Sequence, residues 1–158
     1  CGGVLATNGK IYGIPYNSNS VLEFDPRTKE ISTFANQGGM FKWHGGVLAS
    51  NGKIYTIPFD ADYILEIDPK EKTVDGFGHL SKQNAKWRGG FLASNGMIYA
   101  VPNSAKEILE INPMDKSTRL IGNTSSQEFK WSGGVLCSNG SFYCTPSSAD
   151  KVLKISLS

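Results

Sequence analysis

The chain has 158 residues, 39% of them hydrophobic, and 16 Lys and Arg against 14 Asp and Glu leave a formal charge of +2. That length is ordinarily a single domain. The nearly balanced, scattered charge lacks the basic footprint of a nucleic-acid binder, and no 18-residue apolar run offers a membrane span.

Glycine and proline recur at locked intervals. Gly2-Gly3, Gly45-Gly46, Gly89-Gly90 and Gly133-Gly134 open at steps of 43, 44 and 44 residues, and the Asn-Gly pairs (Asn8-Gly9, Asn51-Gly52, Asn95-Gly96, Asn139-Gly140) and Pro15, Pro58, Pro102 and Pro146 keep the same steps. A period in this range marks a repeat architecture. The repeats run 1–43, 44–87, 88–131 and 132–158, the last one short.

In chain order, each copy begins with an apolar run such as Gly46-Val47-Leu48-Ala49 and continues, after Asn-Gly, into Lys53-Ile54-Tyr55-Thr56-Ile57. This predicts a hairpin with a two-residue type I′ turn, since Asn and Gly best tolerate positive φ at its two central positions. A polar segment leads to a third strand: Val21-Leu22-Glu23-Phe24, Ile64-Leu65-Glu66-Ile67, Ile108-Leu109-Glu110-Ile111 and Val152-Leu153-Lys154-Ile155. Asp25-Pro26, Asp68-Pro69 and Asn112-Pro113 end it, because proline cannot continue a ladder. A weaker fourth strand, around 30–34, 73–77 and 117–121, is polar as an exposed edge should be. The prediction is all-β: four-stranded antiparallel sheets, each covered on both faces by its neighbours, arranged as the blades of a β-propeller with the last blade incomplete.

Asn-Gly-Lys-Ile-Tyr followed by an apolar strand ending in Asp-Pro resembles the kelch-type repeat, a family of propeller blades. Two departures stand out: Ile14-Pro15 and Ile57-Pro58 replace the glycine pair that closes the kelch second strand, and the Trp that follows its turn is absent. The fuller form Lys-Trp-x-Gly-Gly-Val-Leu-Ala-x-Asn-Gly-Lys-Ile-Tyr-x-Ile-Pro is more similar to propeller repeats of unicellular eukaryotes. The resemblance implies an innermost first strand. It also places the segments entering that strand and the loops after each proline on one rim, with the Asn-Gly and Asp-Pro turns on the other. Propellers host hydrolases, lectins and scaffolds alike, so it does not imply an activity.

The rim candidates follow from that placement. Trp43, Trp87 and Trp131 are either a ring of stacking platforms for a sugar or peptide, or wedges between blades. One residue further on, Cys1, His44, Arg88 and Ser132 vary among otherwise locked copies, as do the post-proline loops with Asn17, Asn19, Asp60, Asp62 and Asn103. Variation inside a locked repeat marks positions the fold does not dictate. His44 with Asp60 or Asp62 is the one acid–base or metal constellation this rim suggests, but no His-x-x-x-His spacing, nucleophile elbow or phosphate-cradling loop accompanies it.

On a two-residue turn, Cys137 and Cys144 of the fourth hairpin share a face diagonally, which permits a strained disulfide; otherwise they are two small apolar side chains. Asn123-Thr124-Ser125 and Asn139-Gly140-Ser141 match the N-glycosylation pattern, which is too short to establish secretion. No compartment is legible. Three full sheets and three strands of a fourth are expected. That suggests a piece of a larger propeller, a ring completed by a partner chain, or a four-bladed ring with its last blade short. The expectation is a non-enzymatic propeller interaction module that binds a protein partner, needs no cofactor or metal and works within a larger assembly. The alternatives are a carbohydrate-binding propeller and a metal-dependent hydrolase of lactonase type.

Overall fold

The structure, a computed structural model, describes residues 1–157. Its first blade is β1 (Gly3–Leu5), β2 (Ile11–Gly13), β3 (Val21–Phe24) and β4 (Ile31–Phe34), and its second β5 (Trp43–Leu48), β6 (Ile54–Pro58), β7 (Ile64–Asp68) and β8 (Thr73–Phe77). The third is β9 (Trp87–Leu92), β10 (Ile98–Pro102), β11 (Ile108–Ile111) and β12 (Thr118–Ile121), and the fourth β13 (Trp131–Leu136), β14 (Ser141–Pro146) and β15 (Leu153–Ser156). Each sheet is antiparallel with its strands in chain order. The first strands pack on one another, β1 on β5, β5 on β9 and β9 on β13, so the blades are radial with their first strands innermost, as a β-propeller requires. Blades two to four begin at Trp43, Trp87 and Trp131, one residue ahead of the repeat boundaries read from the sequence.

The core lies between blades. Val4, Tyr12, Ile14 and Val21 of blade one meet Trp43, Ile54, Leu65 and Ile67 of blade two. Val47, Tyr55, Ile57 and Ile64 then meet Trp87, Ile98, Leu109 and Ile111. Phe91, Tyr99, Val101 and Ile108 finally meet Trp131, Phe142, Cys144 and Ile155. Each such aliphatic side chain contributes about 2 kcal/mol on burial, so a blade is held by two neighbours rather than by its own single layer. The fourth strands β4, β8 and β12 are mostly exposed, as their polar sequences predict.

Two local devices set the register. First, β5 carries an extra residue between Trp43↔Pro58 and Gly46↔Thr56, and β9 and β13 repeat this bulge. Gly45 and Gly89 take φ of 89° and 75° in the bulge, a conformation in which glycine is favoured. Because one inserted residue reverses the facing of what precedes it, Trp43 turns toward blade one while Val47 turns toward blade three. The same glycines are the points of closest approach between inner strands: a Cβ on Gly45 would lie 3.5 Å from Gly89 Cα, and one on Gly89 3.1 Å from Gly133 Cα.

Second, the Asn-Gly turns are not type I′. Gly9, Gly52, Gly96 and Gly140 have positive φ but the asparagines do not. Ala49 N donates to Lys53 O at 2.9 Å and Gly52 N to Ala49 O at 3.0 Å, which makes a three-residue loop closed by a left-handed glycine. The asparagine side chain explains the choice: Asn51 Oδ1 accepts from Lys53 N at 3.1 Å, and its amide donates to Tyr55 Oη at 2.9 Å. One residue is thereby added to the loop, so Cys144 pairs with Gly134 and Cys137 N bonds to Ser141 O. Cys137 is consequently exposed and Cys144 buried, and both are free thiols, which overturns the shared face expected from a two-residue turn. Burial pushes the Cys144 thiol up to about 12.

That tyrosine anchors a network on the Asn-Gly rim. Tyr12 Oη donates to Glu23 at 2.9 Å, Lys10 reaches the same carboxylate at 2.7 Å, and Lys72 of the next blade reaches it at 3.2 Å. The pattern recurs as Tyr55, Lys53 and the next blade's Lys116 on Glu66. In blade three Arg119 grips Glu110 with two hydrogen bonds of 3.0 and 3.1 Å. Burial works to raise the Glu23 carboxyl, but the hydrogen bonds from Lys10, Tyr12 and Lys72 outweigh it and hold it at about 2.

Two predictions follow from this geometry. Gly52→Ala meets open space at positive φ and costs about 1 kcal/mol, whereas Gly89→Ala adds a backbone collision and costs roughly twice that or more; urea midpoints compare them. A glutamate with a depressed folded-state pKa stabilises fully above its unfolded value of 4.5 and loses that contribution as pH falls toward about 2. Glu23→Gln therefore flattens the acid limb of a stability–pH curve between those values.

Candidate functional site

The rim opposite the Asn-Gly turns is built on a run of backbone hydrogen bonds that passes from blade to blade. Lys42 N donates to Tyr16 O at 3.1 Å, Phe59 N to Lys42 O at 2.9 Å, Lys86 N to Phe59 O at 2.9 Å and Asn103 N to Lys86 O at 2.8 Å. Lys130 N then donates to Asn103 O at 2.9 Å and Ser147 N to Lys130 O at 2.8 Å. The Lys of each Lys-Trp pair thus ties its own post-proline loop to that of the preceding blade.

The three lysines are buried, and backbone carbonyls solvate their ammonium groups. Lys130 Nζ donates to Ala105 O and Gln127 O, both at 2.9 Å, and Lys86 Nζ to Gln83 O at 2.8 Å and Asp60 O at 3.2 Å. Lys42 Nζ donates to Ser18 O at 3.1 Å and also to Gly39 O. Each Nζ also lies 5.8 to 6.0 Å from the ring of the adjacent Trp. Burial pushes Lys86 down to about 8, with Asp60 and Asp62 opposing the shift, and lowers Lys42 and Lys130 as well. These lysines are not among the rim candidates named from the sequence, although their place before each Trp was the available signal.

The tryptophans are wedges. Trp43, Trp87 and Trp131 are buried, and their Nε1 groups donate to Tyr63 O at 3.0 Å, Glu107 O at 2.8 Å and Lys151 O at 2.7 Å. Their rings are engaged between blades, which is the wedge of the two arrangements considered and leaves no stacking platform at the mouth. The bulge is the reason, since it turns each Trp inward.

His44 and Arg88 do meet. Arg88 Nε donates to His44 Nε2 at 3.2 Å. Burial first, then the Arg88 guanidinium, push His44 below the ordinary imidazole value, so it is an unprotonated acceptor at neutral pH. Tyr16 packs edge-on against His44 at 5.6 Å, Phe59 at 5.8 Å and Phe41 at 5.4 Å between ring centres. Phe41 is 43% exposed and adopts φ of 53°. The result is a partly exposed aromatic cluster beside one guanidinium at the inner rim. Tyr16 and Phe59 sit first in the varying post-proline loops, and Phe41 stands two residues ahead of the Trp; side-chain packing, not spacing, reveals that they converge with His44.

The remaining candidates divide. Asn17 Oδ1 accepts from Phe41 N at 2.9 Å and Asp60 Oδ1 from Ala85 N at 2.7 Å, so both brace the left-handed residue before each Lys. Asn103 is buried, its amide on Trp131 O at 2.8 Å and its Oδ1 without a partner. Asn19 is exposed. Asp62 lines an outer hollow of about 480 Å³ with Tyr63, Gly76, Phe77, Gly78 and His79. No hydrogen bond joins His44 to Asp60 or Asp62, so that constellation is not formed. Among the described residues no three His, Cys, Asp or Glu side chains converge as a metal site, and no helix is long and apolar enough to cross a membrane.

Lys86 yields a prediction about alkaline stability. A lysine whose folded-state pKa of about 8 lies below the ordinary 10.5 binds fewer protons folded than unfolded between those values, so its contribution grows as pH rises through that window. Thermal melts of the native chain between pH 8 and 10 should show that gain, and Lys86→Met should lose it.

Against known structures, the chain aligns with a streptogramin B lyase at a TM-score of 0.79 and 13% identity, over 98% of this chain and 50% of that one. Virginiamycin B lyase from Staphylococcus aureus aligns at 0.76 and 12% identity, over 99% and 55%. An auxiliary nutrient binding protein from Bacteroides ovatus aligns at 0.71 and 14%, over 98% and 44%. The chain spans about half the length of these neighbours, and at such identities the likeness is one of fold: a β-propeller. No protein-family model and no curated protein matches the chain.

Proposed function

We propose that this array of kelch-like blades is a non-enzymatic interaction module that grips a protein partner at the inner rim formed by Tyr16, Phe41, His44, Phe59 and Arg88, within a larger propeller assembly. The observation that carries the reading is the clustering of partly exposed aromatics and one guanidinium at positions where the copies differ. Aromatic residues and arginine anchor protein interfaces because they desolvate large rigid surfaces while keeping a polar contact. His44, itself packed edge-on by Tyr16, accepts from Arg88 and restrains its side chain, so less conformational entropy remains to be lost on binding.

A sugar-binding reading uses the same rings, and Tyr16 and Phe59 favour it as partly exposed aromatics on the rim. The neighbours include a nutrient binding protein, in keeping with a rim that holds a small ligand, though they also include lyases.

A photoreactive phenylalanine analogue at position 41, irradiated in an extract of the source cells, should give a discrete protein adduct. That adduct should weaken about tenfold or more in Arg88→Ala, the loss typical of an interface anchor. The same analogue at Met114, exposed on the opposite rim, should give none. Equal adducts at both positions, or none at 41, would remove the protein-binding reading. A glycan-array signal lost in Phe59→Ala with the melt unchanged would replace it with the sugar-binding one.

A further inference from the structure

Each terminal blade carries apolar side chains on the face that no neighbouring blade covers. On blade one Leu5 is 63% and Leu22 38% exposed, whereas Leu65 and Leu109, at the place of Leu22, are fully buried. On blade four Val135 is 62% and Val152 58% exposed, whereas their counterparts Val47 and Ile64 are buried. The first face continues the surfaces that blades two and three turn toward the blade before them, and the second continues those turned toward the blade after. Both therefore extend an interface that the chain already makes three times.

Shape alone would let blade four of one copy dock on blade one of another. The polar part of the interface decides against it. Between blades one and two, Lys72 of the turn after Asp68-Pro69 reaches back to Glu23, and Tyr12 Oη donates to Pro69 O at 3.3 Å. Between blades two and three, Lys116 lies 3.2 Å from Glu66, and Tyr55 Oη donates to Pro113 O at 3.1 Å. Lys29 follows Asp25-Pro26 at the same place, with the same left-handed backbone: φ is 63° against 53° for Lys72 and 61° for Lys116. It is exposed, and a carboxylate meeting it in the same way would have to come from a blade placed before blade one. In blade four the corresponding residue is not glutamate. Tyr143 pairs across the sheet with Lys154, where Tyr12 and Tyr55 pair with Glu23 and Glu66. Ser141 stands where Lys10 and Lys53 supply a second cation. Blade four against blade one would set Lys154 toward Lys29 with no carboxylate between them, and unlike the rim charges this pair would be partly desolvated.

We propose that the open face of blade one is the docking surface for a further blade of the same repeat, one whose third strand bears a carboxylate at the position of Glu23 and Glu66. Lys154 keeps a second copy of blade four out of that place. The inference rests on the assembly half of the reading above and is independent of the aromatic rim.

Sedimentation of the whole chain tests it, with Lys154→Glu turning blade four into the carboxylate-bearing blade required. The native chain should sediment as a monomer. Lys154→Glu should self-associate head to tail at a concentration about tenfold lower or less, the change expected for replacing a repulsive by an attractive contact, and added salt should weaken it. Lys29→Glu, which makes the opposite match with the native Lys154, should associate likewise, and the double variant should be monomeric again. Both lysines are exposed, so the variants should fold, and circular dichroism checks that they do. Two results would overturn the proposal: a native chain that already associates and is dispersed by Leu5→Lys, or single variants that leave the mass unchanged. Failure of the rim crosslink would leave this result standing, and the reverse holds.

Discussion

The architecture depends on how closely the inner strands approach one another. At Gly89 an added Cβ would crowd the next first strand at 3.1 Å from Gly133 Cα, at Gly45 it would just touch Gly89 Cα at 3.5 Å, and both glycines adopt the left-handed backbone of a bulge. One residue type meets both demands, which accounts for its recurrence at that step. The bulge then decides the rest of the blade start: it turns the preceding Trp between blades, and it brings the residue before that Trp, a lysine, under the post-proline loop of the neighbouring blade.

The two rims handle buried charge in opposite ways. On the inner-strand entry side an ammonium is held by neutral carbonyls, whose dipoles replace water without neutralising it, and the lysine pKa falls. On the Asn-Gly side a buried carboxylate is met by one cation from its own blade and one from the next, and its pKa falls because its charged form is the favoured partner. The first arrangement ties loop to loop chiefly through backbone groups, which lets the first residue after each proline differ from blade to blade. The second reads the identity of a neighbour, because it works only when one blade brings a carboxylate and the next a lysine. Freedom of side chain on the first rim and selectivity on the second thus follow from which groups do the stitching.

Blade three marks where the second pattern changes. Met97 stands where Lys10 and Lys53 stand in earlier blades, and Arg119 supplies the cation to Glu110 within the same sheet. The carboxylate is therefore satisfied without blade four, and blade four in turn carries Lys154. Compensation within one sheet frees the next blade from the rule.

Period, strand order, turn positions and the propeller arrangement were legible in the amino-acid sequence, because Gly, Pro, Asn-Gly and apolar alternation act over a few residues and repeat. Trp43, Trp87 and Trp131 were legible as repeat positions but not as to facing, and Cys137 and Cys144 were assigned a common face that a one-residue-longer loop abolishes. Both features have one origin: a single residue added to a strand or turn inverts every side chain beyond it, and whether a turn gains one depends on hydrogen bonds such as Asn51 to Tyr55. The convergence of Tyr16, Phe41, Phe59, His44 and Arg88, and the carbonyl cages around the lysines, join residues a full repeat apart. Only the packing of one blade against the next decided them, since local sequence carries no term for what a neighbouring sheet will bring.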